Sequence, residues 1–312
     1  MSSATAMPTA QHVISLREFD GAQLRDLVRL AEECRLHPDR YQDALHRKGL
    51  VLLMEKTSTR TVLSFEAAIN ELGGYAVRLN WQDSNFSISP IHHEAAYVSR
   101  NCSAILARLK HNADLLELAR GSLVPVINGC DDRYHPTQAL ADLITIKQVA
   151  GTFDDAQVTF VGIHNNVTNS LLVACTRVGV RVGLVTPERN QASWDEDLVA
   201  EARATGLVRE YGSVEEAAPE STFLYTDTWI DMEHYHEPAY MTEAERRVEL
   251  MTPYQLNERT LAGANPWIMH DMPIHPGFEI AEELVESPRS VIYQQAQNRL
   301  LSAKALLLTL VR

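Results

Sequence analysis

Three observations predict an α/β fold of two doubly wound parallel-sheet domains. Short apolar runs alternate with segments of helical period on both sides of the midpoint. The length, 312 residues, suits two domains of ordinary size. The polar clusters follow the ends of the apolar runs, where parallel sheets bind their ligands, and a cleft between two such domains is the expected site.

The elements follow in order. Leu24 to Cys34 has the period of an amphipathic helix, which breaks at His37-Pro38. Gly49 to Met54 is an unbroken apolar run and reads as a buried strand; Leu63, Ala67, Ala68, Ile69 and Leu72 then recur at helical spacing. Tyr75 to Leu79 is a short strand. Residues 81–93 are polar and irregular around Pro90 and read as a long loop, of the kind that is usually functional. Ala104 to Ala107 and Val124 to Ile127 are further strands, and His135 to Val149 is a helix with Leu140, Leu143 and Ile144 on one face. A second series begins with the strand Val158 to Gly162 and the helix Asn169 to Val178. Strands at Val180 to Val185, Phe223 to Thr226 and Pro266 to His270 continue it, and Gln294 to Val311 reads as a closing helix.

Composition narrows the class. Hydrophobic residues at 45% and charged residues at 22% are ordinary for a soluble globular protein, and no apolar run reaches the length of a membrane span. Met1 to Ala10 lacks a basic start and a long apolar core, so it reads as a tail rather than a signal peptide. Cys34, Cys102, Cys130 and Cys175 lie far apart without a CxxC, the pattern of buried cytosolic thiols rather than of disulfides or a zinc site. A net charge of −13 argues against nucleic acid as a partner. It leaves room for a small anionic substrate, because a local cationic cluster overrides the global field.

Such a cluster begins at Ser58-Thr59-Arg60-Thr61, where the strand ending at Met54 hands over to a helix. A helix start gathers unpaired N–H groups and the positive end of the dipole, and hydroxyls with a guanidinium fork add charge-assisted bonds to phosphate oxygens. Arg108 ends a later strand, His135-Pro136-Thr137-Gln138 opens a helix, and Arg299 lies in the closing helix. Each has an ordinary structural reading alone; their joint occurrence in this order carries the weight.

Glu55-Lys56-Thr57-Ser58-Thr59-Arg60-Thr61 resembles the carbamoyl-phosphate motif of the aspartate/ornithine carbamoyltransferase family. The resemblance covers nearly the whole chain. Pro125 to Gly129 and His135 to Leu143 are similar to the carbamoyl-contacting region, Asn165 to Leu172 to the ornithine-contacting turn, and Tyr225-Thr226-Asp227-Thr228-Trp229 to the aspartate loop. Asn165-Asn166 and Asp227-Thr228-Trp229 favour the ornithine branch. The resemblance implies a carbamoyl-phosphate domain at 11–148, an amine-acceptor domain at 152–287, and a C-terminal helix within 288–312 that packs back on the first. It implies that Ser58, Thr59, Arg60 and Thr61 hold the phosphate, and that Arg108, His135, Gln138 and Arg299 grip the carbamoyl group. Gln82 would complete a neighbouring subunit's phosphate site in a cytoplasmic homotrimer. Asn166 and Asp227 would hold the acceptor. Carbamoyl phosphate and a small amine are the implied partners; no metal or organic cofactor is required.

The chain departs from the ornithine pattern around the second substrate. His270-Asp271-Met272-Pro273 stands where the family has His-Cys-Leu-Pro, and Ile230-Asp231-Met232-Glu233 where it has a Ser-Met-Gly loop. Ile274 to Glu279 replaces Ala-x-Arg-Gly-Glu-Glu. A carboxylate about 4 Å from a substrate carboxylate, at an effective dielectric of about 20, is disfavoured by roughly 4 kcal/mol. That is on the order of a thousandfold in affinity. Asp227, Asp231 and Asp271, with Met232 and Met272 beside them, would then form an acidic acceptor pocket for a diamine or an amine whose carboxylate is absent or masked. Alternatives are an ordinary ornithine enzyme, with Asp231 turned to solvent or paired with an arginine, and a non-catalytic paralogue that binds a phosphorylated metabolite. A nucleotide-cofactor enzyme is disfavoured, because Val161-Gly162-Ile163-His164-Asn165 lacks a glycine-rich turn.

Overall fold

A computed structural model describes residues 11–230 and 240–311. Asp20 opens helix α1 (Gly21–Leu36) with a capping box shared with Gln23, and Leu24, Leu27, Val28, Ala31 and Cys34 form its buried stripe. The first sheet is built from β1 (Gly49–Met54), α2 (Thr59–Glu71), β2 (Tyr75–Asn80), α3 (Ile91–Val98), β3 (Ala104–Arg108), α4 (Asn112–Gly121), β4 (Val126–Cys130) and α5 (Pro136–Ala150). Its four strands run parallel in the order β2-β1-β3-β4.

The second series contains β5 (Gln157–His164), α6 (Asn166–Arg177), β6 (Arg181–Arg189), α7 (Glu196–Ala204), β7 (Val208–Glu210), α8 (Val214–Ala217) and β8 (Phe223–Thr226). It continues through α9 (Met241–Met251), α10 (Glu258–Leu261), β9 (Trp267–His270), α11 (Glu282–Val285) and α12 (Ile292–Leu310). These five strands are also parallel, in the order β7-β6-β5-β8-β9. Every residue of β5 is buried, as expected of a central strand covered on both faces. The two expected parallel-sheet α/β units are therefore present.

Helix α12 packs on α1, α2 and α5, as the family resemblance implied. Its contact with α5 is partly polar: Gln295 donates to Asp142 at 2.7 Å, Asn298 to Thr145 at 2.8 Å, and Ser302 to the Thr137 carbonyl at 3.1 Å. These bonds satisfy buried polar groups that would otherwise destabilise the interface.

Several sequence expectations require correction. Residues 81–93 are not one irregular loop: a short turn at Asn85–Ser87 precedes α3, which begins at Ile91. Ile91, Ala95 and Val98 provide its helical period, and Pro90 takes the cap position. The strand expected at Val124 to Ile127 instead spans Val126–Cys130, because Asn128 and Cys130 pair with Ala107 and Arg108. The sequence reading missed α4, α7, α9 and the short β7, which are brief or heavily charged segments.

Candidate active site

Strand register assembles the cleft. In the first sheet Met54 pairs with Arg108, and Arg108 with Cys130, so three strands end side by side. In the second, Thr226 pairs with both Val161 and His270. Asn165, Asp227 and Asp271 are the residues that follow β5, β8 and β9, three neighbouring parallel strands. A cavity of about 620 Å³ lies between the two sets of strand ends. Ser58, Arg60, Arg108, His135 and Arg299 line one side, and Asn166, Asp227, Asp271 and Met272 the other.

Ser58 caps α2. Its hydroxyl accepts from the Thr61 backbone N–H at 3.2 Å and donates to the Thr61 hydroxyl at 3.0 Å. Arg60 sits in the first turn and donates to the Met272 carbonyl at 2.5 Å, across to the second unit. Arg108 donates to the Gly129 carbonyl at 3.3 Å. The Nε atoms of Arg60, Arg108 and Arg299 are buried without a hydrogen-bond partner. Three guanidiniums beside one cavity, each with an unmet donor, form an environment suited to an anion.

Arg299 is buried on α12. It donates to Thr61 Oγ1 at 2.9 Å and, through Nη1, to Gln138 Oε1 and to His135 Nε2, the latter at 3.3 Å. A guanidinium only donates, so His135 Nε2 must accept and the ring proton lies on Nδ1, beside the Thr137 hydroxyl at 3.4 Å. Burial, followed by the charges of Arg299, Arg108, Arg60 and Lys56, holds His135 well below the usual imidazole range. The ring is neutral at physiological pH. Burial also lowers Arg299 to about 10, which leaves it cationic.

Gln138 lies behind the cavity wall, where its amide donates to Asp142 at 2.9 Å. Asp142 is fully buried and also accepts from Gln295. Burial raises its carboxyl to about 7. Thr61 is likewise buried behind the wall, whereas Thr59 is exposed at the start of α2. Gln82 is exposed beyond β2, away from the cavity of its own chain.

On the acceptor side, Asp227 accepts from Asn165 Nδ2 and from the Thr228 N–H, both at 2.8 Å. Burial first, and Asp271 second, raise its carboxyl above the usual range. Asp271 lies 3.6 Å from Arg299 Nη1, and its Oδ1 has no hydrogen-bond partner. The backbone around it is firmly held. Met272 N–H donates to His270 Nδ1 at 2.7 Å, and His270 Nε2 lies 3.0 Å from buried Glu279. Asn166 lines the cavity, but its amide already donates to the Asp131 carbonyl at 2.7 Å and to Cys130 Sγ at 3.2 Å. Asp231 and Met232 lie outside the described residues.

Sequence reasoning put Asn165 in the acceptor turn without giving it a role of its own, and it missed Cys130, Asn190 and Ser193 as residues that line the cavity. The ends of β5 and β6 were the available signal, because residues beyond parallel strand ends face the cleft. Among the described residues no helix is long and apolar enough to cross a membrane.

Residues 11–148 match the family description "Aspartate/ornithine carbamoyltransferase, carbamoyl-P binding domain", and residues 154–310 match "Aspartate/ornithine carbamoyltransferase, Asp/Orn binding domain". The chain is 35% identical over 309 residues to the ornithine carbamoyltransferase of Archaeoglobus fulgidus, covering 96% of this chain and 97% of that protein. It is 38% identical over 271 residues to the anabolic ornithine carbamoyltransferase of Pyrococcus furiosus, 84% of each chain. Among solved structures, the ornithine carbamoyltransferase from Pyrococcus furiosus superposes with a TM-score of 0.88 at 33% identity, covering 98% of both chains. That from Thermus thermophilus gives 0.84 at 35% identity, covering 96% of this chain and 99% of the other.

Proposed function

This chain belongs to the aspartate/ornithine carbamoyltransferase family, and from that premise we propose that it transfers the carbamoyl group of carbamoyl phosphate to the side-chain amine of ornithine, giving citrulline and phosphate. The convergence of Arg60, Arg108 and Arg299 on one cavity, with neutral His135 bonded to Arg299, is the observation that carries the reading. Near-full-length similarity to proteins named ornithine carbamoyltransferase supports ornithine as acceptor.

In this reading Ser58, Thr59, Arg60 and Thr61 bind the phosphate at the start of α2, where the helix dipole adds to the guanidinium charge; for Thr59 and Thr61 this requires their hydroxyls to turn into the cavity, whose wall Ser58 and Arg60 already form. The amine lone pair attacks the carbamoyl carbon, the carbonyl oxygen becomes an oxyanion, and phosphate leaves. Fixed cations beside that oxygen stabilise the developing charge without reorganising; one well-placed donor is worth about 10²–10³ in rate. Arg108 and Arg299 supply charge, His135 and Gln138 position the group, and holding both substrates together lowers the entropic barrier. Asn166 and Asp227 hold the acceptor's far end; for Asn166 this requires its amide to leave the Asp131 carbonyl.

A second reading rests on Asp271. It places a second carboxylate on the acceptor wall beside Asp227, which favours an acceptor with more cationic groups or no free carboxylate. The same proposal assigns amine binding to residues 152–287 and returns 288–312 to the carbamoyl-phosphate unit at 11–148. It keeps a cytoplasmic homotrimer with Gln82 reaching a neighbour's site. Exposed Leu63, Tyr75 and Val77, on α2 and the edge strand β2, supply apolar surface for such an assembly.

The test is a colorimetric ureido assay with carbamoyl phosphate and a panel of ornithine, lysine, putrescine, agmatine, diaminopropionate and N-acetylornithine. Saturable turnover of ornithine above the others supports citrulline formation. Turnover of a carboxylate-free or masked amine, with ornithine near background, supports the acidic-pocket reading instead.

A further inference from the structure

The attacking nitrogen needs its lone pair, yet an alkyl amine with a pKa near 10.4 arrives at neutral pH almost entirely as the ammonium. Among the described residues five carboxylates line the cavity: Glu55, Asp131, Asp132, Asp227 and Asp271. Four are already engaged. Glu55 accepts from the Lys110 N–H, Asp132 from the Asn112 N–H, and Asp227 from Asn165 and the Thr228 N–H. Asp131 accepts from Arg133 and Tyr134 on one oxygen and from Asn112 and Asn128 on the other. Asp271 differs, because its Oδ1 accepts nothing and its side chain is 12% exposed toward the cleft it lines. It also lies 3.6 Å from Arg299, the cation assigned to the carbamoyl oxygen, so it stands at the boundary between donor and acceptor.

We propose that Asp271 is the general base of the transfer, receiving the acceptor as an ammonium and taking the proton whose loss frees the nucleophilic lone pair. The inference rests on the carbamoyl-transfer reading and holds for ornithine or for a carboxylate-free amine. The proton balance is complete. The ammonium gives one proton to the Asp271 carboxylate, leaving a neutral amine and a carboxylic acid. The lone pair forms the N–C bond, and the tetrahedral nitrogen gives its second proton to the departing phosphate oxygen as the C–O bond breaks. Asp271 then releases its proton to solvent.

The surroundings couple this step to donor binding. Arg299 from α12 faces the carboxylate, and Arg60 from α2 holds the carbonyl of the next residue. Asp227 and Tyr225 of the β8 end and Asp142 of α5 feel its charge. His270, the preceding residue, is fixed against Glu279. A carbamoyl oxygen engaging Arg299 shares that guanidinium with Asp271, so the donor and the base meet at one cation. The family resemblance places a cysteine at this position, so this route is a property of the present chain.

The experiment measures kcat and KM of the full-length wild type, D271N and D271C from pH 6 to pH 10 at saturating carbamoyl phosphate, with the best acceptor of the panel. General-base catalysis contributes typically 10²–10⁴-fold. The expected result is a kcat loss of about 100-fold or more for D271N at pH 7.5, with carbamoyl-phosphate binding by calorimetry within a few-fold of wild type. The D271N rate should climb about tenfold per pH unit as solution supplies the free amine, while the wild-type profile stays shallow. D271C should recover rate as its thiol ionises. If D271N keeps its kcat and profile and loses only acceptor KM, Asp271 is a binding group and the proposal fails. A wild type that yields no ureido product with any amine overturns the transfer reading itself, a distinct outcome from an active wild type with an indifferent D271N.

Discussion

The Arg299 guanidinium donates to the Thr61 hydroxyl at 2.9 Å, a bond between residues 238 positions apart that ties the last helix to the first turn of the phosphate-site helix. Neither residue explains the other locally. Thr61 is buried and also receives the Ser58 hydroxyl, so the cap of α2 and the cation of α12 share one oxygen. R299K places one compact ammonium where a planar fork now reaches Thr61, Gln138 and His135 together. We expect kcat to fall about 10²–10³-fold in R299K, as for loss of one oxyanion donor. T61V keeps the volume but removes the shared acceptor and should lose less than R299K. Steady-state kinetics of both variants, with carbamoyl-phosphate binding measured directly, checks the order; equal losses would mean that the hydroxyl matters as much as the guanidinium fork.

His135 should leave no acid limb in the rate profile. Burial and the neighbouring cations depress it well below the ordinary imidazole value, so it is already neutral throughout pH 6 to 8. H135Q should lower kcat but leave the shape of kcat/KM against pH unchanged over that range. An acid limb near pH 6.5 in the wild type that vanishes in H135Q would contradict the neutral ring. Linkage gives a second check. Below about pH 6.5 the unfolded imidazole binds a proton that the native ring refuses, so stability falls as pH falls, by up to about 1.4 kcal/mol per pH unit. H135Q should make the measured slope shallower in urea titrations, the remainder coming from His12 and His164, which burial also lowers.

Asp142 has the opposite sign. Burial raises its carboxyl to about 7, so between about pH 4 and 7 the native state holds a proton that the unfolded chain has released. Stability is therefore lost as pH rises through that window, on the order of 4 kcal/mol in all. D142N cannot ionise, and its carbonyl oxygen can still accept from Gln138 and Gln295. We expect D142N to be more stable than the wild type at pH 8 and close to it at pH 4, read from urea midpoints at both values. A constant difference at the two pH values would show that Asp142 does not titrate there.

The donor half of the site was legible because it is local. Ser58-Thr59-Arg60-Thr61 needs only the strand before it and the helix after it to declare an anion site, and the strand expected at Gly49 to Met54 matches β1 residue for residue. Arg108, His135 and Arg299 were legible as a set, although the contacts that place Arg299 come from the packing of α12 on α5. The acceptor half was less legible. Asn165 and Asp271 become neighbours of Asp227 only because β5, β8 and β9 lie side by side, an order that residue periodicity does not encode. Asp142 sits among apolar helical residues and reads as an ordinary helix position until Gln138 and Gln295 are seen to close on it. Helices α4 and α7 escaped because their charged faces mask a short apolar stripe of two or three residues.

Asn165 offers a separation of stability from specificity. Its side-chain oxygen caps α6 by accepting from the Val167 and Thr168 backbone N–H groups, while its Nδ2 donates to Asp227 at 2.8 Å. The two functions belong to opposite ends of one amide and respond differently to substitution. N165A removes both and should lose about 1 kcal/mol of stability, the usual value of an N-cap. N165D keeps a good cap, because a carboxylate accepts from both N–H groups and suits the positive end of the helix. It replaces the donor to Asp227 with a like charge, which raises the proton affinity of Asp227 further and weakens its hold on a cationic acceptor. N165D should therefore match the wild type in thermal stability within about 1 kcal/mol while its acceptor KM rises about tenfold or more and its carbamoyl-phosphate affinity holds. Thermal melts with kinetics for both substrates decide the matter. A loss of carbamoyl-phosphate affinity equal to the loss for the amine would mean that Asn165 shapes the whole cleft rather than its acceptor wall.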